Sequence, residues 1–192
     1  EDMEKAGLVI SSEDGNSRYD RFRSRIIFPI TDANARVIGF GGRIFQSPSS
    51  NPRLDRGQVP SSEAKYINTP QTLIYDKSRA LYGFDKAKHE IRAKNQAVAV
   101  EGYMDCVMSH QAGVKNTIAV SGTALTPAQL STLRRLCDIL VSSFDADAAG
   151  DSATKRSLAL AAQFEFSRRI ASIPSGKDPA DTVQENPAAW VQ

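Results

Sequence analysis

From Gln96 onward short apolar runs alternate with amphipathic ones, and this alternation constrains the fold more than any other feature of the chain. "AVAV" reads as a buried strand and "MDCVMSHQAG" as a short helix stopped by Gly113, with "NTIAV" as a second strand. "TPAQLSTLRRLC" opens a helix with Thr126 as N-cap, Pro127 at its first position and Gln129 completing a capping box. "DILVSSF" is a third strand, the next helix runs to about Gln163, and "SRRIASI" is a fourth strand. A β-α-β-α-β-α-β order predicts an α/β unit with a mainly parallel sheet flanked by helices, because parallel neighbours need a crossover that a helix supplies. In such sheets ligands bind outside the carboxyl ends of the strands.

That rule selects four acids. Glu101 directly follows "AVAV"; Asp145 and Asp147 follow the third strand in "FDADAAGD"; Asp178 follows the fourth in "SGKDPAD". In an extended segment residues i and i+2 project to one side, about 6.6 Å apart, so the pair can share one hard cation or hold two. An oxygen donor set without His or Cys favours Mg²⁺, with Mn²⁺ as substitute, and points to metal-dependent phosphoryl transfer. Zinc does not fit: the chain has only Cys106, Cys137, His89 and His110 and no CxxC, and both cysteines read as buried free thiols.

Other readings of the same residues stand beside this one. An isolated DxD is as often a solvated turn or a helix cap, and Asp147 can cap the helix that follows. A calcium loop of the EF-hand kind fails at Ala149 and Arg156. A phosphatase of the haloacid dehalogenase kind also places DxD after an apolar strand and also uses Mg²⁺. Glu101 has no role in that scheme and fits a shared metal site. Asp105 either orients the site or simply occupies the first turn of its helix. Lys177 is a phosphate contact or a solvated loop lysine.

Upstream, "RIIFPI" and "RVIGFGGRIF" read as a hairpin turning near Asp32–Ala35. Residues 46–64, rich in Ser and Pro and without periodicity, read as an irregular loop, an insertion or a functional flap. "KYINTP" returns to ordered patterning, and a helix is expected near Asp85–Ala93. Charge divides along the chain: residues 1–93 carry 15 Lys and Arg against 12 acids, residues 94–192 carry 9 against 10. Between Tyr19 and Phe45, Arg21, Arg23, Arg25, Arg36 and Arg43 face only Asp20 and Asp32. A basic half beside metal-binding carboxylates suits an anionic polymer such as nucleic acid. No apolar run approaches the roughly 20 residues a membrane span needs, and the start, "EDMEKAGLVISSEDG", is unlike a signal peptide; a cytoplasmic protein is expected.

Four blocks in order, "AVEGYMD", "SGTALTPAQ", "FDADAAGDSA" and "GKDPAD", resemble the Toprim domain, in which a Glu and a DxD pair bind magnesium. "YDRFRSRIIFPITDANARVIGFGGRIF" and "AKYINTPQTLIYDKSRALYGFDKAK" are similar to the amino-terminal subdomain of the bacterial DnaG-type primase catalytic core. The resemblance implies a Toprim fold over residues 94–180, preceded by a partial mixed α+β subdomain over 1–93 and followed by the start of a helical region over 181–192. It implies a DNA primase, a nucleotidyltransferase making short RNA primers on single-stranded DNA from ribonucleoside triphosphates. Glu101, Asp145 and Asp147 would bind catalytic Mg²⁺, with Asp178 completing the site and Asp105 belonging to the same motif. Arg21, Arg23, Arg43, Lys65, Asn68 and Lys77 match the family's basic ridge. "DPAD" stands where many members have "DPD", so Asp181 is the candidate for the second acid. The family's zinc module and the domain that binds the replicative helicase have no counterpart in these residues, so a fragment of a bacterial cytoplasmic protein is expected. A phosphatase, a topoisomerase or nuclease piece, and a non-catalytic nucleic-acid-binding Toprim module remain the rivals.

Overall fold

The structure is a computed structural model that describes residues 1–12, 15–45, 64–121, 124–144, 148–171 and 177–191, with side chains from Lys155 onward in the helix that starts at Ala148. It divides into two compact units, Glu1–Ile30 with Val37–Asp76, and Thr31–Arg36 with Lys77–Gln192. Most of the loop expected at 46–64 lies outside the described residues.

In the first unit a short helix α1 (Asp2–Lys5) precedes β1 (Val9–Ser11) and β2 (Arg18–Asp20), which pair antiparallel with Ile10 opposite Tyr19. The expected hairpin forms as β3 (Arg25–Thr31) and β4 (Val37–Ile44), and β5 (Tyr66–Asn68) adds antiparallel to β4, putting Arg43 opposite Tyr66. β3 is outermost in the order β3-β4-β5, which suits its exposed Pro29, a residue unable to donate to a ladder. Phe28, Ile30 and Tyr75 are buried here. Gly42 is required by close approach: a Cβ there would lie 2.7 Å from the Phe22 ring and 3.1 Å from Arg25 Cδ. Its bare backbone lets Arg25 cross the sheet and donate to the Ala64 carbonyl at 3.0 Å.

The second unit holds the parallel sheet. Its elements are α2 (Phe84–Lys94), β6 (Gln96–Val100), α3 (Tyr103–Gln111), β7 (Thr117–Ala119), α4 (Pro127–Arg134), β8 (Ile139–Ser143), α5 (Ala148–Gln163), β9 (Ser167–Ile170), α6 (Pro179–Glu185) and α7 (Pro187–Val191). The four strands run parallel in the order β7-β6-β8-β9. Alternation sorts β6 to two faces. Ala97 and Ala99 join Ile118, Leu140, Leu130, Leu133, Ile91 and Ala161 on the side covered by α2, α4 and α5. Val98 and Val100 join Ala119, Val141, Cys106 and Trp190 on the side covered by α3 and α7. A strand buried on both faces needs a continuous apolar run, which "AVAV" supplies. Each fully buried Leu contributes about 1.5–3 kcal/mol.

The connection from β6 leads by α3 to β7 on one side, while that from β8 leads by α5 to β9 on the other. The strand order therefore reverses between β6 and β8, and the crevice at a parallel sheet's binding edge opens at such a switch point. α4 begins as its sequence dictates: Thr126 Oγ1 accepts from the Gln129 amide at 3.2 Å, and Gln129 Oε1 accepts from the Thr126 amide at 3.0 Å. Among the described residues no helix is long and apolar enough to cross a membrane.

Candidate metal centre and basic face

Val100 and Ser143 are register partners at the carboxyl ends of β6 and β8. Glu101 is the first residue beyond β6, at the switch point, and is partly exposed. Its carbonyl accepts from the Ser121 amide at 2.9 Å, and Ser121 takes a left-handed φ of 57° to make that bond just past β7. Phe144 follows β8 at the matching level; Asp145 and Asp147 lie outside the described residues.

Asp105 takes the first-turn position expected of it and makes two backbone contacts besides. It is buried there, at the start of α3, and its carboxylate binds the backbone on both sides. Oδ2 accepts from the Gly102 amide at 2.9 Å and Oδ1 from the Ala180 amide at 3.2 Å. A Cβ at 102 would stand 2.9 Å from Oδ2, so a side chain there would displace the carboxylate. Asp105 thereby joins the peptide after Glu101 to the first turn of α6.

Asp178 is the N-cap of α6, with Oδ1 accepting from the Asp181 amide at 2.7 Å and Pro179 at the first helical position. Asp181 is exposed in that first turn, and the Lys177 ammonium is paired with the Glu185 carboxylate. Among the described residues no three His, Cys, Asp or Glu side chains gather as a metal cluster. The donor set selected from the sequence, all of it oxygen, nonetheless suits a hard cation; of the softer ligands His89 is exposed on α2, and the other three are buried or bonded to backbone. Burial pushes the Cys106 thiol up to about 12 and the Cys137 thiol up to about 11, and His110 Nε2 sits 2.8 Å from the Thr117 carbonyl.

Among the described arginines of the first unit, Arg18 pairs with Glu4 at 3.9 Å and the others divide into two kinds. Arg21 Nε donates to the Gly7 carbonyl at 2.9 Å, and Arg25 is held by the Ala64 carbonyl. Arg23 instead lies over the Tyr19 ring at 4.6 Å and Arg43 over the Tyr66 ring at 5.9 Å. Lys65 is exposed beside β5 and Asn68 ends that strand, opposite Gly41. Lys77 belongs to the second unit, where its carbonyl accepts from Gln129 Nε2 at 3.4 Å.

Sequence reading missed the link from Asp105 to Ala180 and both tyrosine partners. Gly102 three residues before Asp105 is a capping pattern that signalled half of the first. No signal placed Tyr66 opposite Arg43, because β5 is too short to show a period.

The chain matches the family model for the DNA primase catalytic core, N-terminal domain, over residues 1–88 and a Toprim-like model over 98–183. It is 38% identical to a DNA primase of Synechococcus elongatus, across 97% of this chain and 26% of that protein. A DNA primase domain from Pseudomonas aeruginosa superposes with a TM-score of 0.82 at 34% identity, over 96% of this chain and 54% of that one. A DnaG primase catalytic domain bound to ssDNA gives a TM-score of 0.80 at 32% identity, over 98% and 56%. The chain thus spans about a quarter of the length of the curated relatives it matches.

Proposed function

The chain belongs to the DnaG-type primase family as part of its catalytic core, and from that premise we propose that it serves in synthesising short RNA primers on single-stranded DNA. The observation that carries the reading is the match of both halves in order, with Glu101 at the switch point of the parallel sheet. Glu101, Asp145 and Asp147, with Asp178, would hold Mg²⁺, or Mn²⁺ in its place; the bound ion would ease ionisation of the primer 3′-hydroxyl and offset triphosphate charge.

The chain's own residues do the rest. Asp105 fixes the backbone from which Glu101 projects. Arg21, Arg23, Arg43, Lys65, Asn68 and Lys77 bind the triphosphate of an incoming ribonucleotide and the template phosphates, aligning the former for in-line attack. Asp181 and Lys177 support the α6 end of the site. The partners are template DNA, ribonucleoside triphosphates and the growing RNA primer, and in the parent protein a replicative helicase. Replication places the protein in the bacterial cytoplasm.

Incorporation of labelled ribonucleotides on single-stranded DNA, with and without Mg²⁺ or Mn²⁺ and beside Asp145→Ala, tests the reading. Metal-dependent incorporation that the variant loses supports it. Undiminished incorporation by Asp145→Ala overturns the metal role, and a covalent phosphate trapped on Asp145 turns the reading toward a phosphatase.

A further inference from the structure

Among the described arginines of the first unit, Arg18 pairs with the Glu4 carboxylate, whereas Arg23 and Arg43 have an aromatic ring as their partner. Arg21 and Arg25 spend donors on the carbonyls of Gly7 and Ala64. A guanidinium stacked on a ring keeps its flat face covered while its N–H donors, all in the plane, stay free at the edge. That is the presentation a phosphate oxygen pair needs.

The two pairs bring guanidinium and ring together by different local routes. The turn Arg21–Ser24 after β2 folds Arg23 back over Tyr19, four residues earlier. Arg43 and Tyr66 are direct cross-strand partners on β4 and β5. Tyr19 contributes nothing to the core, for it is 37% exposed on a strand with no buried residue.

We propose that Tyr19 and Tyr66 are positioning residues, whose rings hold the Arg23 and Arg43 guanidinium groups edge-outward to receive the phosphates of single-stranded nucleic acid. The inference rests on the reading of the basic face given above. Without the ring each arginine keeps its charge but samples many rotamers, so binding weakens although net charge is unchanged.

The test is a double-mutant cycle on the whole chain, read by anisotropy of a fluorescein-labelled oligothymidylate at low salt. Tyr19→Leu should weaken binding about three- to fivefold, the size of an exposed cation–π contact, and Tyr19→Phe should restore it. Arg23→Ala should weaken it further and lower the salt slope by about one. Tyr19→Leu added to Arg23→Ala should change nothing more, since a positioning residue has no effect once its arginine is gone. Tyr66→Leu against Arg43→Ala repeats the cycle. Additive losses would mean that the rings contact the nucleic acid themselves, and overturn the inference. Wild-type binding by Tyr19→Leu with weak binding by Arg23→Ala overturns it too, leaving the basic face intact. Wild-type binding by both arginine variants overturns the basic-face reading and the inference together.

Discussion

The carboxylate of Asp105 on α3 accepts a hydrogen bond from the backbone amide of Ala180 on α6, at 3.2 Å. Because its other oxygen holds the Gly102 amide at 2.9 Å, one side chain sets the peptide behind Glu101 against the helix that Asp178 caps. Asp105→Asn keeps a single acceptor and turns an N–H donor toward one of the two amides. A charge-assisted bond is lost in a buried place, so destabilisation of about 1.5–3 kcal/mol is expected. Urea unfolding measures it; an unchanged midpoint would remove Asp105 from its bracketing role.

Gln129 joins stability to Lys77. Its side chain is 1% exposed, accepts from the Thr126 amide, and donates to the carbonyls of Ala80 at 2.7 Å and Lys77 at 3.4 Å. Gln129→Leu fills the space but strands the Thr126 amide and the Ala80 carbonyl, at about 1–3 kcal/mol for each unsatisfied group. The KM for ribonucleoside triphosphate should rise more than kcat falls, because the loosened segment carries Lys77, proposed above to bind the triphosphate. Lost stability with an unaltered KM would separate this anchor from nucleotide binding.

Asp178 serves as a helix cap and is proposed as a metal ligand, and two substitutions part these roles. Asp178→Ala removes both and should destabilise by about 0.5–2 kcal/mol. Asp178→Ser restores a capping oxygen without a carboxylate, so its thermal midpoint should return toward wild type while Mn²⁺ affinity, followed by electron paramagnetic resonance, stays low. A serine variant that binds Mn²⁺ as tightly as wild type takes Asp178 out of the metal centre.

Long-period features were legible in the sequence, and short or composite ones were not. The parallel sheet was readable because the apolar runs "AVAV" and "ILV", each short and followed by an amphipathic stretch, suit strands buried on both faces. The start of α4 was readable because Thr126, Pro127 and Gln129 each act within one turn of chain. β1, β2 and β5, with three residues each, carry too few alternations to stand out. Glu101 was placed by its strand end, a local fact, whereas the Asp105–Ala180 bond joins residues 75 apart and belongs to tertiary packing. The Arg cluster was visible as composition, but which arginines meet carbonyls and which meet rings depends on β4–β5 register and on the bare backbone of Gly42.

Both cysteines should be silent in the native protein. Cys106 is 2% exposed with its thiol pushed up to about 12 by burial, and Cys137 is 3% exposed with its thiol pushed up to about 11. At pH 8 the reactive thiolate is therefore scarce as well as shielded. Iodoacetamide labelling should be slow without denaturant and rise with the urea unfolding transition, as mass spectrometry would show. Rapid labelling of either native cysteine contradicts the packing around it.

Acid should unfold the second unit partly through Asp85. Burial works to raise the pKa of this carboxyl, yet hydrogen bonds from Lys86, at 2.9 Å, and from the Thr31 hydroxyl outweigh it and hold the group below its ordinary 3.8. A folded-state pKa below the unfolded one means that the charged form favours the fold. The contribution is full above pH 3.8 and drains away as pH falls through the lower folded value. Asp85→Asn lacks this titration, so its stability should change less than that of wild type between pH 6 and pH 3, although it is the weaker protein at pH 6. Asp32 and Asp138, held low by Arg36 and by Asn95 with Arg134, keep some acid sensitivity in the variant. Urea midpoints across that range give the comparison, and parallel curves for the two proteins would show that folding does not lower the pKa of Asp85.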